Sequence, residues 1–307
     1  MKILYVDPFA IPDSLGGSQK SLLDVMTEMK KCGHEVILAM PGEGLLSTDA
    51  RNKGIVTTKF LLPTLASTRI TIGTRRVFNI IAAIYNVFIL FLSGYFLFRL
   101  IHKTKPSIAH SNQMLISIAA GFACKLAKVP CVWHIRENPA NHISGFILKT
   151  YGVFGFLFAD RVMVNSQYTA NIFRKTALYK KIVVIPIGIE NNSNHVVNKS
   201  LNSKDRYQKS NKVISIFGRI IPMKGHDILI KSLKILKEKQ AKFELQIVAH
   251  INKNYRYYLY LLSLIKELNL KSKVQFCDFI SDINPILNTS DIIVSSSIES
   301  ETFGRTL

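Results

Sequence analysis

The first half of the chain alternates short, nearly continuous apolar runs with longer stretches of helical periodicity. Runs at residues 3–6, 35–40, 55–60, 107–110, 131–135, 161–164 and 182–185 have the character of buried strands. Helical patterns lie between most of them, for example over 18–31 and 115–128. Alternation of this kind needs crossover connections, and so predicts a parallel sheet covered on both faces. Residues 191–212 then change character, with six Asn, four Ser and four Lys among few apolar positions, and read as a linker or exposed loop. After them the alternation restarts. Strands are predicted at 213–217, 243–249, 274–279 and 291–295, with helices over about 225–239 and 255–268.

The pattern predicts an α/β chain of two Rossmann-like domains, 1–190 and 213–307, joined by 191–212. Ligands of such sheets bind beyond the carboxyl ends of the strands. The expected site is therefore the cleft between two facing sheets.

Residues 77–98 break the pattern, since they carry no charge over 22 residues. As a helix they would measure roughly 33 Å, enough to cross a hydrocarbon core of ~30 Å. Arg75 and Arg76 flank one end, and Arg99, His102, Lys103 and Lys105 the other. A single crossing would place strands of one sheet on opposite sides of a bilayer. Asn79, Asn86 and Ser93 also recur every seventh residue, which puts a polar stripe close to one helix face. Three readings stand in this order: a helix lying on an anionic membrane surface, a helix buried in the protein, and a span.

Charge extends the picture. Lys and Arg number 40 against 20 for Asp and Glu, a formal net charge of +20, which favours polyanionic partners such as anionic membrane or phosphorylated small molecules. No interleaved aromatic and basic motif points to nucleic acid. Cys32, Cys124, Cys131 and Cys277 lie far apart and form no CxxC pair, which argues against a zinc ribbon or disulfide scaffold and for reduced thiols in a cytosolic compartment. The apolar run after Met1 and Lys2 ends at Asp7, too early for a signal peptide.

Three segments have the makings of chemistry. Gly16-Gly17 sits between the first strand and the first helix, where two glycines admit a ligand to the backbone and free helix N–H groups favour phosphate. Gly218-Arg219 and Lys224-Gly225 bracket the loop after the first strand of the second domain, offering a guanidinium fork, a point charge and a helix start to a diphosphate. The alternative is two solvated surface cations. Residues 295–307 follow the last strand, and Glu301 there either accepts hydrogen bonds from sugar hydroxyls or simply caps a helix dipole. His134 stands at the end of a first-domain strand, as a site residue or a structural histidine, and Asn112 shares that placement.

In their order and domain placement, Gly16-Gly17, Gly218-Arg219 with Lys224-Gly225, and Glu301-Thr302-Phe303-Gly304 resemble the landmarks of the GT-B retaining glycosyltransferases of family 4. The resemblance spans nearly the whole chain. It implies that Gly16 and Gly17 approach a donor phosphate and that Arg219 and Lys224 hold the donor diphosphate. It implies that Glu301 contacts the transferred sugar, with backbone N–H groups near Phe303 and Gly304, and that His134 is directed at the same sugar as a catalytic-site residue. In Pro186-Ile187-Gly188-Ile189-Glu190, Ile187 replaces the family's usual Asn. The family's second Glu, a ribose ligand, would stand two positions beyond Leu307. The chain is accordingly expected to be truncated, with an incomplete second domain and little activity by itself.

The expected function is transfer of a sugar, with retention, from a nucleotide-diphosphate sugar to a saccharide or lipid-linked saccharide acceptor in cell-surface polysaccharide assembly. The expected place is the cytoplasmic face of the cell membrane. No resident cofactor is expected, and no metal, because the chain has no DxD triplet, HExxH or EF-hand loop. The rival reading is a non-catalytic remnant that binds nucleotide sugar or membrane.

Overall fold

The computed structural model describes residues 1–11, 15–67, 69–72, 75–139, 145–188, 211–278, 280 and 283–299, with the backbone alone at 69–72, 75–78 and 146. The chain divides into two compact units, Met1–Gly188 and Ile189–Leu307. The division falls at the start of the polar stretch that the sequence marks as a linker. Residues 191–210 of that stretch lie outside the described residues.

The first unit opens with β1 (Lys2–Val6), α1 (Gly17–Lys31), β2 (Glu35–Met40), α2 (Leu45–Asn52) and β3 (Val56–Lys59). A two-stranded antiparallel hairpin follows, β4 (Arg69–Ile72) with β5 (Arg75–Phe78), which the sequence pattern does not predict. Then come α3 (Ile80–Thr104), β6 (Ile108–Asn112), α4 (Met114–Ala127), β7 (Cys131–Ile135), α5 (Gly145–Phe158), β8 (Arg161–Val164), α6 (Gln167–Ile172) and β9 (Ile182–Val184). The seven strands other than the hairpin make one parallel sheet in the order β3-β2-β1-β6-β7-β8-β9.

Alternation along β1 explains the two-sided core. Ile3 and Tyr5 point into a cluster with Leu22, Met26 and Leu46 of α1 and α2. Leu4 and Val6 point the opposite way, into a larger cluster with Leu97, Ile116, Trp133 and Phe173. Buried on both faces, such strands read as continuous apolar runs.

The apolar run at 77–98 supplies β5's end and most of α3. Asn79 caps the helix, its Oδ1 accepting from Ala82 N–H at 3.1 Å. Leu97, Leu100 and Ile101 enter the core beside the sheet. Gly94 lies close to α4, where an added β-carbon would stand 3.1 Å from Phe122 Cδ1 and 3.3 Å from Ala119 O. The C-terminal half is thus a sheet-covering helix. The N-terminal half is largely exposed, with Ile81 at 78% and Phe88 at 63%.

The second unit repeats the scheme with β10 (Lys212–Phe217), α7 (His226–Glu238), β11 (Phe243–Val248), α8 (Arg256–Glu267), β12 (Val274–Cys277), α9 (Asn284–Thr289) and β13 (Ile292–Ile293). The sheet is parallel, ordered β12-β11-β10-β13. Its core gathers Ile214 and Ile216 of β10, Leu229 and Ile230 of α7, Leu245 and Ile247 of β11, and Leu261 of α8. β13 is shorter than the predicted 291–295. Asp291 spends its carboxylate on Val213 N–H at 2.9 Å, and beyond Val294 the chain turns toward residues 223–225.

Candidate functional site

Polar residues gather at the carboxyl ends of β1, β6, β7 and β8. β1 and β6 are neighbours although the chain winds away from them in opposite directions, which is the switch point where such sheets bind ligands. Asp7, just past β1, is fully buried, and its carboxylate accepts from Asn112 Nδ2 at 2.6 Å, Phe9 N–H at 3.0 Å and Gln19 Nε2 at 3.4 Å. Asn112 Oδ1 in turn accepts from Arg136 Nε at 2.6 Å. An amide thus links a buried carboxylate to a buried guanidinium, an arrangement that tolerates both charges away from water. Burial pushes the Asp7 carboxyl above its ordinary range, and the hydrogen bonds from Asn112, Phe9 and Gln19 oppose this.

His134 sits beside this relay, buried in β7. Its Nε2 faces Asn165 Oδ1 at 2.7 Å and its Nδ1 faces His110 Nε2 at 3.2 Å. Burial, with the Arg136 charge adding to it, lowers its pKa to about 3, so the ring is neutral. The amide oxygen of Asn165 can only accept, so Nε2 of His134 carries the proton and Nδ1 accepts. His110 Nε2 must then donate. Burial lowers the His110 pKa too, helped by the adjoining His134 ring and by the charge of Arg136. Both ring nitrogens of His134 are therefore engaged within the protein.

The turn between β6 and α4 completes this cluster. Gln113 has φ of +81°, rare for a residue with a side chain and a conformation that costs on the order of 1–3 kcal/mol. It is held by a bond from its N–H to His134 O at 2.9 Å. Met114 N–H, at the start of α4, donates to both carboxylate oxygens of Glu137 at 3.1 and 3.2 Å. Burial raises the Glu137 pKa, opposed by backbone N–H donors and reinforced by Asp7.

Gly16 is the extended N-cap of α1, with φ of −69°, and among the described residues beyond its chain neighbours no atom stands within 4 Å of where its β-carbon would be. Gly17 begins the helix and is exposed.

The second unit carries the cation loop. Gly218 leaves β10 with φ of +143°, and Gly225 has φ of +63° before α7. Both conformations favour glycine. The Lys224 side chain runs back along the loop, its Cε 3.6 Å from where a β-carbon on Gly218 would stand. Arg219 is exposed on the same loop. Beyond β13, where the predicted strand stops short of residue 295, the chain contacts this loop: Ser296 Oγ donates to Lys224 O at 2.8 Å and Ile298 N–H donates to Met223 O at 3.0 Å. Glu301, Phe303 and Gly304 lie outside the described residues, although the segment leading to them, through Glu299, is set against the loop.

His226 escaped the sequence reading. It is the first residue of α7 and is fully buried, and neither ring nitrogen has a hydrogen-bond partner among the described residues. Burial lowers its pKa to about 4, and the Lys224 charge contributes. Asp7, His110, Arg136, Glu137 and Asn165 also escaped it. Each of Asp7, Arg136 and Asn165 is the first polar residue after an apolar strand, and that signal was available.

Two parallel α/β units, with polar clusters beyond their strand ends, define the fold of the GT-B glycosyltransferases. Among solved structures, Anabaena Alr3699/HepE in complex with UDP and glucose aligns with a TM-score of 0.72 at 22% identity, over 99% of this chain and 76% of that one. A glycosyltransferase from Rickettsia africae ESF-5 aligns with 0.72 at 23% identity, over 99% and 75%. The apo form of the lipopolysaccharide outer core galactosyltransferase WaaB aligns with 0.65 at 14% identity, over 100% and 77%. No curated protein sequence matches significantly. The family model Glycosyltransferase Family 4 matches residues 15–192, and Glycosyl transferases group 1 matches residues 198–307. The chain belongs to glycosyltransferase family 4.

Proposed function

We propose that this glycosyltransferase moves a sugar from a nucleotide-diphosphate sugar to a hydroxyl of a lipid-linked or cell-surface saccharide, with retention at the anomeric carbon. The observation that carries the reading is the loop at 218–225, which sets two cations and the start of α7 at the carboxyl end of β10. A diphosphate there would meet the planar fork of Arg219, the point charge of Lys224 and the N–H groups of α7. The complexes of HepE with UDP and with UDP-glucose support this choice of donor. WaaB's role on the lipopolysaccharide outer core supports a cell-surface acceptor.

In the reaction the bond from the anomeric carbon to the diphosphate oxygen breaks, and its electron pair leaves with the nucleoside diphosphate. The acceptor oxygen bonds to the same face of that carbon, and its proton passes to the departing phosphate. The main demand on the protein is to stabilise charge growing on the diphosphate, which preorganised cations and helix N–H groups meet without reorganisation. In this reading Glu301 and the backbone near Phe303 and Gly304 hold the transferred sugar, and Gly16-Gly17 admits the donor phosphate. His134, its ring held by Asn165 and His110, stands at the strand end on the side of the transferred sugar.

Incubating the protein with a panel of radiolabelled nucleotide sugars and a membrane lipid extract tests the proposal. Label entering the lipid fraction from one donor is expected. Nucleotide-sugar binding with no transfer would leave the non-catalytic reading in its place.

A further inference from the structure

We propose that the layer formed by α3, α4 and α5 is a membrane-docking face, which lies in the plane of an anionic bilayer surface and does not cross it. The proposal names a partner for the enzyme. It takes its purpose, though not its evidence, from the lipid-linked acceptor proposed above.

The first observation is that α3 is amphipathic the wrong way round for a soluble protein. Its polar positions face the protein. Asn86 makes two bonds to the backbone of Ala66, accepting at 2.8 Å and donating at 2.9 Å, and buried Ser93 bonds Ile89 O at 2.9 Å. Its large apolar side chains face outward: Ile81, Ile84, Val87, Phe88, Phe91 and Tyr95 are all exposed. At 3.6 residues per turn, Ile84, Phe88, Phe91 and Tyr95 fall within roughly 60° of one another, and His102 continues the line. The stripe of Asn79, Asn86 and Ser93 that stands out in the sequence thus points inward.

The second observation is that the face is continuous across helices. Phe91 meets Phe122 of α4 edge-on at 5.2 Å, and Phe122 meets Phe158 of α5 at 5.9 Å. α5 adds exposed Val153, Phe156 and Leu157 to the same layer. So large an exposed apolar surface marks an interaction site.

Charge then selects the occupant. Residues 50–159 contain thirteen Lys and Arg but a single acidic residue, Glu137, whose carboxylate is taken by Met114 N–H. Arg99, His102 and Lys103 are exposed in the last two turns of α3, and Lys125 and Lys128 at the end of α4. Apolar side chains edged by cations and free of acids match the boundary between acyl chains and anionic headgroups. A span is disfavoured because the inner face of α3 is covered by protein, through Leu97 and Ile101 on the core and Asn86 on Ala66.

Sedimentation with vesicles tests this with the full chain. Binding to phosphatidylcholine vesicles containing phosphatidylglycerol is expected, with weaker binding to phosphatidylcholine alone and partial release at high salt. The triple variant Ile84→Ser, Val87→Ser, Phe88→Ser changes only positions that are more than half exposed. It should keep its melting temperature and lower the partition coefficient by on the order of a hundredfold, as three large apolar side chains leave the interface. The only tryptophan, Trp133, is buried, so Phe88→Trp adds a clean reporter. Its fluorescence should be quenched more by bromines near the headgroup end of the acyl chain than by bromines near its tip, and alkaline carbonate should release the protein.

No sedimentation with either vesicle would overturn the proposal, as would unchanged sedimentation of the triple variant. Carbonate resistance with deep quenching would show a span. A dimer in light scattering that the triple variant dissolves, without vesicle binding, would show a second copy on this face. UDP binding by calorimetry, run alongside without lipid, reports on the transferase reading independently of all these outcomes.

Discussion

A β-carbon on residue 225 would overlap the carbonyl oxygen of Ser296, so Gly225 lets the segment after β13 lie directly against the cation loop. Two bonds hold it there, from Ser296 Oγ to Lys224 O and from Ile298 N–H to Met223 O. The left-handed φ of +63° makes the same demand independently. Gly225→Ala should therefore cost at least about 2 kcal/mol in urea unfolding, from backbone strain and displaced loop together. Gly16→Ala is the contrast. With extended φ and open space it should cost under about 1 kcal/mol, yet slow transfer if the turn receives a phosphate.

Arg219→Ala and Lys224→Ala should each weaken UDP binding by roughly 30- to 150-fold, equal to ~2–3 kcal/mol for a charge-assisted hydrogen bond lost at a desolvated phosphate. Titration calorimetry reads this directly. Unchanged affinity in both variants would remove the diphosphate from this loop.

His134 makes stability depend on pH. Its ordinary value of 6.5 falls to about 3 on folding, so between those values the unfolded chain takes up a proton that the buried ring refuses. Stability is then full above 6.5 and falls as pH drops, by up to about 1.4 kcal/mol per unit below 6.5 until about pH 3. Asp7 and Glu137 act with the opposite sign, since their carboxyls are raised. The histidine term is therefore read as a difference. Urea unfolding from pH 7 to 5 should show a steeper loss in the native sequence than in His134→Gln.

Asn112→Leu should destabilise the first unit by about 2–4 kcal/mol, because it removes the closest donor to the Asp7 carboxylate and the acceptor of Arg136 Nε. Urea unfolding measures the loss. A change below ~1 kcal/mol would mean that water replaces the amide and that the cluster is wetter than its burial implies.

The two parallel sheets were readable from sequence because strands buried on both faces need apolar residues at every position, as in residues 3–6 and 131–135. The hairpin at 69–78 was not, since it pairs only with itself and carries no such run. The cation loop was readable because its residues are contiguous, from Gly218 to Gly225. Glu301, Phe303 and Gly304 rest on the family resemblance, beyond the described residues.

By itself the sequence determined the α/β alternation, the break near residue 190, the positive charge and the loop of two cations between Gly218 and Gly225, all of them properties of local pattern or composition. Only the tertiary structure decided the strand order, and with it the meeting of Asp7 with Asn112, 105 residues away, and of His134 with Asn165. It also decided which side of α3 faces out. Hydrophobicity records how much a residue gains by leaving water, not which neighbour covers it. A helix apolar nearly all round therefore leaves its orientation to the packing of Leu97, Ile101 and Gly94 against the sheet and α4.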